Sequence, residues 1–375
     1  MPEFTGFFAG ELYHWPMADR FLEEHRRPIA GYDRIQFDEA EIARLRAKLD
    51  LDTELHVHWN WDYISEIESL RALYEKGKKG QWDVESDLDW SLPVSPDELV
   101  MPVEESSIGQ VLHLMGADEA KVRAAVHEEM EWSLSQLLHG EQAALQLTAQ
   151  LVNSTTDMDA KLYAGQQVVD EARHVEAFAK LLGRKFDKVH PIGGNVKFLL
   201  DEMLGAKNWH FKLIGMQIIF EGVAMAIFTD IVKRTHNEMI RETVRMVARD
   251  EARHAAFGVL ALREELGRLS QQERDELEDW TWKVLEVVAN GLMTSLFEDV
   301  APKYGIAPEP MAQMIFSSEG FWDARYHLFN HTVLPNLKKL GIVTNRTQQH
   351  YDDFRLWEKT APYGTEPIGH LVFAD

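Results

Sequence analysis

The pentapeptide Asp-Glu-Ala-Arg-His occurs twice, at Asp170 to His174 and at Asp250 to His254, and the glutamate of each copy comes thirty positions after another glutamate set among apolar residues. In an α-helix, positions i and i+3 share a face, so Glu171 points with His174 and Glu251 with His254. The earlier glutamates are Glu141 and Glu221. Glu221 is the only charge in the sixteen residues "LIGMQIIFEGVAMAIF", beside an apolar stripe through Ile214, Ile218, Met225 and Phe228. A buried carboxylate costs several kcal/mol unless it is paired or binds a cation. Glu221 therefore needs a partner from elsewhere in the chain.

Glu141 continues a stripe formed by Leu134, Leu137, Leu138, Leu145 and Val152, with Gly140 beside it where close packing is expected. The nearby Glu128, Glu129 and Glu131 read as surface acids. The midpoint between Glu141 and Glu171 is Thr156, inside "NSTTD", and that between Glu221 and Glu251 is His236, inside "RTHNE". Both are rich in turn and cap residues. Antiparallel helices joined by a short loop bring residues equidistant from the turn to one level. Each hairpin thus sets a lone Glu opposite a Glu-x-x-His, and two hairpins supply four carboxylates and two imidazoles. Such a set suits two iron or manganese ions. Zinc prefers a smaller tetrahedral set, and calcium avoids imidazole.

Composition closes off several other classes. A formal charge of -23 disfavours nucleic acid and anionic membrane surfaces, and the absence of cysteine excludes disulfides, thiolate metal sites and cysteine-ligated iron–sulfur clusters. No secretory leader is legible in "MPEFTGFFAGELYHWPMADRF", and no apolar window of membrane-spanning length is free of charge. The expectation is a cytoplasmic protein with no membrane partner.

Three regions are expected. Residues 1–105 read as an N-terminal helical extension and linker, with helical stretches at "DEAEIARLRAKL" and "DYISEIESLRALYEKGKK" before the proline-broken "SLPVSPDELVMP". Residues 106–300 read as the dimetal helical core. Residues 301–375 read as a C-terminal helical extension wrapping it, interrupted at "PEP", "LPN" and "APYGTEP". Periodicities of three and four run throughout, and the fold class is all-α.

At these residues the sequence resembles the ferritin-like di-iron carboxylate superfamily, and within it most closely the O2-activating oxygenases. The resemblance covers about Ala117 to Leu269 and implies a ferritin-like four-helix bundle core with additional N- and C-terminal helices. It implies metal ligands at Glu141, Glu171, His174, Glu221, Glu251 and His254, two iron ions or an iron–manganese pair, and O2 as co-substrate. It also implies that Asp170, Arg173, Asp250 and Arg253 orient the imidazoles and balance charge. Pseudo-symmetry pairs Asp170 with His254 and Asp250 with His174. The expected function is a monooxygenase acting on a small-molecule or carrier-bound organic substrate. Without iron–sulfur ligands or a nicotinamide fold, the chain needs an external electron donor. A homodimer is compatible with this reading.

Acyl desaturation, a ribonucleotide reductase small subunit and iron storage are the alternatives. The reductase reading is weakened by Phe178 at the place of the radical tyrosine, and storage proteins are much shorter. Met225 stands where many hydroxylases carry a pocket threonine. Val247 stands where arylamine N-oxygenase relatives add a seventh, histidine ligand, which argues against an N-oxygenase of that type. His56 and His58 in "HVHWNWDY" read as structural or exposed rather than as a second metal site. The basic "YEKGKKGQWD" reads as a solvated helix end, with docking of a reductant or acidic carrier as the functional option. Trp and Met at helical spacing read as core.

Overall fold

The computed structural model describes residues 51–356, apart from 62, 187, 292–293, 318 and 355. The stretches "DEAEIARLRAKL" and "APYGTEP" lie outside the described residues. Among the described residues the chain is helical, with no strand. In order the helices are α1 (Glu68–Lys79), α2 (Ser107–Leu114), α3 (Glu119–Ser154), α4 (Met158–Lys185), α5 (Gly194–Gly205), α6 (Trp209–Arg234) and α7 (Glu238–Leu266). Then come α8 (Gln271–Gly291), α9 (Thr294–Asp299), α10 (Pro308–Phe316), α11 (Glu319–His331), α12 (Val333–Lys339) and α13 (Gln348–Asp353).

Helices α3, α4, α6 and α7 form the bundle, and both hairpin turns fall at the midpoints read from the sequence. Between α3 and α4, Thr155 returns its hydroxyl to Leu151 O, and Asp157 caps α4 by accepting from Ala160 N at 3.0 Å. Between α6 and α7, Thr235 donates to Val100 O, and Asn237 caps α7 by accepting from Ile240 N at 3.1 Å. Each cap satisfies an amide that the first helical turn leaves without a partner. The long link from α4 to α6 contains α5, which packs on α3 and α8.

Helix α6 is long and apolar enough to cross a membrane by composition, but 78% of its apolar window is buried inside the molecule. It is a core helix. Its segment Ile214–Phe220 is π-helical and ends directly before Glu221. A π-turn inserts an extra residue and rotates the next stretch of helix, a device common at functional sites.

The core has two apolar halves. One joins Leu147 and Leu151 of α3, Tyr163 of α4, Ile218 of α6 and Phe257 of α7; the other joins Leu134, Phe178, Phe228 and Val247 of the same four helices. The glutamates and histidines of the repeated motifs lie between these halves in sequence on every helix. A polar layer is thereby enclosed by apolar packing above and below.

The segment before residue 106 is tied into this core. Asp159 on α4 accepts from Ser65 Oγ at 2.7 Å and from Glu66 N and Ile67 N at 2.9 Å, pinning the start of α1. Helix α1 then packs along α4 and α7. At its end, a Cβ on Gly77 would meet Gln166 Cγ at 2.7 Å, and one on Gly80 would meet Arg253 Nη1 at 3.2 Å. Glycine allows the backbone this close an approach.

Glu129 and Glu131 correct the sequence reading, since both are buried. Glu129 accepts from Ser106 Oγ at 2.6 Å, Ser107 N at 2.9 Å and Ile108 N at 3.0 Å, capping α2 from α3. Glu131 accepts from Lys188 N at 3.1 Å and faces His190 Nε2 at 3.3 Å. Their partners come from the linker and the crossover, which local periodicity does not reveal.

Candidate dimetal site

The six residues singled out by the repeat converge in two overlapping groups. Glu141, Glu171, His174 and Glu251 form one, and Glu171, Glu221, Glu251 and His254 the other; within each, one ligand atom per residue lies within 4.8 Å of all the rest. All are buried. Glu171 and Glu251 belong to both groups, as expected of carboxylates shared by two ions, while Glu141 and Glu221 serve one group each.

The imidazoles face inward through Nδ1. His174 Nδ1 lies 2.9 Å from Glu251 Oε1, 3.3 Å from Glu141 Oε2 and 3.5 Å from Glu171 Oε2. His254 Nδ1 lies 2.7 Å from Glu251 Oε2, 3.2 Å from Glu171 Oε1 and 3.7 Å from Glu221 Oε1. Their Nε2 atoms face outward to the aspartates of the opposite motif: His174 to Asp250 Oδ2 at 3.2 Å, and His254 to Asp170 Oδ2 at 3.5 Å. Protonation at Nε2, facing the carboxylate, leaves the Nδ1 lone pair for the centre.

Two arginines bridge the two aspartates. Arg173 contacts Asp170 and reaches Asp250 Oδ2 at 2.7 Å, and Arg253 reaches Asp250 Oδ1 at 2.7 Å and Asp170 Oδ2 at 3.0 Å. Both aspartates are held well below the usual carboxylate range: burial opposes ionisation, but the facing histidine and the arginines outweigh it. This outer square is electrically balanced by itself.

The inner layer is not. Burial first, and then repulsion from Glu251, pushes Glu141 up to about 8, and the same causes push Glu221 well above its ordinary value. Both histidines are raised despite burial, because carboxylates surround them. The Oε2 of Glu171 and Oε1 of Glu251 are buried without a hydrogen-bond donor. Four carboxylates that repel one another, with acceptor atoms aimed at a common centre, match the charge of two divalent cations. The donor set fits the implied metal pair.

Gly140 is required by close packing here, since a Cβ on it would meet Phe220 Cζ at 2.8 Å, beside Glu221. Phe178 stacks on Phe228 with centroids 6.2 Å apart, Met225 is buried, and Val247 is buried in apolar surroundings. The position one turn before Glu251 is thus filled by an apolar side chain rather than a seventh donor. His56 is exposed, and His58 is tied through its amide to Asn153 O; neither joins a metal-competent cluster among the described residues.

Sequence reasoning missed four residues that complete the site. Gln167 donates to Glu171 Oε1 at 2.7 Å and Glu221 Oε1 at 3.4 Å, and Gln166 donates to Asp170 Oδ1 at 3.3 Å. Both precede their acidic partner by four residues, a spacing that could have flagged them. Gln81 donates to Asp170 Oδ1 at 2.8 Å and accepts from Arg173, and Trp82 Nε1 donates to Asp250 Oδ2 at 2.8 Å. Nothing local in the sequence signals these two contacts.

No curated protein sequence matches the chain significantly. The family model described as p-aminobenzoate N-oxygenase AurF matches residues 65–301, well over half of the chain, starting within the segment read from sequence as an extension. This corrects the argument drawn from Val247, which removes an extra ligand without removing the chain from that family. With its paired carboxylate–histidine groups inside an all-helical bundle, the chain belongs to the AurF family of di-iron oxygenases and is an oxidoreductase.

Proposed function

We propose that the chain is a monooxygenase that binds two iron ions through Glu141, Glu171, His174, Glu221, Glu251 and His254. The observation that carries this reading is the sharing of Glu171 and Glu251 between two buried ligand groups. Iron bound there supplies the two-electron reduction of O2 that a monooxygenase needs. The chain's own residues do the rest. Asp170 and Asp250 keep the Nε2 protons of His254 and His174, Arg173 and Arg253 hold those aspartates ionised, and the apolar halves exclude water.

The name of the matched family points to nitrogen as the oxidised atom, and we assign an amine as the substrate class. One oxygen atom of O2 goes to the amine nitrogen and the other leaves as water, consuming two protons and two electrons. The electrons come from a separate donor, since the chain has no cysteine to hold an iron–sulfur cluster. Val247 supplies no donor one turn before Glu251, so the ligand set proposed is these six residues.

The test is to load the protein with Fe(II), supply 18O2 and a panel of aryl and alkyl amines with a chemical reductant, and analyse products by mass spectrometry. Incorporation of one labelled atom at nitrogen is expected. Label appearing only at carbon would move the substrate class to hydroxylation. Iron-loaded protein that consumes O2 without labelling any organic compound would overturn the monooxygenase assignment.

A further inference from the structure

The outer square around the metal layer is not symmetric. Asp170 is completed by two amides, Gln81 and Gln166, whereas Asp250 is completed by the indole of Trp82. On the Asp250 side the line starts at an aromatic ring, from Trp82 Nε1 to Asp250 Oδ2 at 2.8 Å and from that same oxygen to His174 Nε2 at 3.2 Å. The Arg173 guanidinium lies over the Trp82 ring at 5.1 Å, fixing its plane. Trp82 is buried between two exposed neighbours, Gln81 and Asp83. Through Asp250 its indole is linked to a histidine that faces the centre.

The surface at this point departs from the rest of the molecule. The chain carries -23 overall, but the end of α1 presents Lys76, Lys78 and Lys79, all exposed, and Arg249 reaches beside them to Gly80 O at 3.4 Å. Lys78 pairs with Glu75 at 2.8 Å, while Asp83 is engaged by the amides of Glu85 and Ser86, and Glu85 by Lys180 and Arg184. Four cations, Lys76, Lys78, Lys79 and Arg249, thus stand with the two carboxylates of Glu75 and Asp83, a local excess of positive charge on an acidic background, and the end of α1 is fixed by the close approach of Gly77 to Gln166 and of Gly80 to Arg253.

We propose that this face, Lys76 to Trp82 with Arg249, is where an acidic one-electron carrier protein docks, and that electrons pass from it through Trp82, Asp250 and His174 to the metal pair. The partner is assigned by charge: a neutral or basic carrier would gain nothing from this patch, whereas an acidic one is repelled by most of the surface and attracted here. Two electrons are delivered per turnover, one from each of two carrier molecules, which are oxidised as the two ions are reduced. No covalent bond forms or breaks on the route. The proposal rests on the redox reading above.

The experiment uses the full chain loaded with iron and an acidic [2Fe–2S] ferredoxin as probe, with dithionite as a small reductant that needs no docking face. Binding of oxidised ferredoxin is measured by calorimetry at several salt concentrations, and reduction of the metal pair by stopped-flow absorbance. Salt-sensitive binding is expected, and a Lys76→Glu/Lys78→Glu/Lys79→Glu variant should weaken it by about tenfold or more while dithionite still reduces the protein at the original rate. Trp82→Phe, with its iron content and ferredoxin affinity measured alongside and the rates read on iron-loaded, ferredoxin-saturated protein, should lower the ratio of ferredoxin-driven to dithionite-driven reduction on the order of tenfold. Trp82→Tyr, which restores a redox-active ring, should recover part of that loss.

Absence of binding, binding indifferent to the lysine reversals, or an unchanged ratio in Trp82→Phe would overturn the proposal. If dithionite-reduced protein oxygenates amines in any of those cases, only the docking face is lost. If it oxygenates nothing, the failure lies with the proposed function.

Discussion

Asp250 Oδ2 lies 3.2 Å from Nε2 of His174, a residue 76 positions earlier in the chain, so each copy of the repeated pentapeptide supports the histidine of the other. The two motifs form one object, and its parts should fail together. Asp250→Asn and Asp170→Asn keep size but remove charge, and are expected to weaken metal affinity or turnover by about 10- to 100-fold without unfolding. Chelator competition and circular dichroism check both halves of this statement.

Removing an inner carboxylate is a different perturbation. Glu221→Ala and Glu251→Ala should each lower bound iron and abolish O2 consumption while helix content is nearly unchanged. Glu128→Ala, which breaks contacts to Lys188, Lys303 and Tyr304 at the surface, should leave both intact. Metal analysis of the three variants side by side decides it, and equal iron content in all three would contradict the ligand assignment.

Glu129 stabilises the fold without serving the centre. It satisfies two backbone amides at the start of α2 and a serine hydroxyl, so Glu129→Ala should cost about 2 kcal/mol and lower Tm by a few degrees, with iron content unchanged. Differential scanning calorimetry with parallel metal analysis is the measurement. A variant that loses iron but keeps its Tm would reverse the assignment.

His210 sets an acid limit on stability. Burial pushes it down to about 4, and its Nε2 is buried without a hydrogen-bond partner. The folded state favours the neutral ring, while the unfolded chain takes a proton near 6.5. The stabilisation is therefore present above that pH and is lost as pH falls toward 4, by up to about 3 kcal/mol. Urea titrations at intervals between pH 7 and 4 should show this slope in the wild type and a flatter one in His210→Gln.

The sequence by itself determined the helical class, both hairpins and the inner layer. Spacing along a helix is a local quantity: Glu171 and His174 share a face whatever surrounds them, and equal distances from two turns put Glu141 and Glu221 at their level. A single charge in an apolar run, as at Glu221, also needs no tertiary knowledge to be recognised as a group in want of partners. What only the tertiary structure decided is everything that depends on which surfaces meet. Glu129 and Glu131 look solvent-facing by pattern, and are buried because the linker and crossover happen to cover them. Gly140 is small because Phe220, 80 residues later in sequence, presses on it after a π-turn that no periodicity announces. Trp82 reaches Asp250 across 168 residues, and nothing in "GKKGQWD" records that contact. Local spacing fixes which side chains share a helix face; only the packing of distant segments fixes what that face will touch.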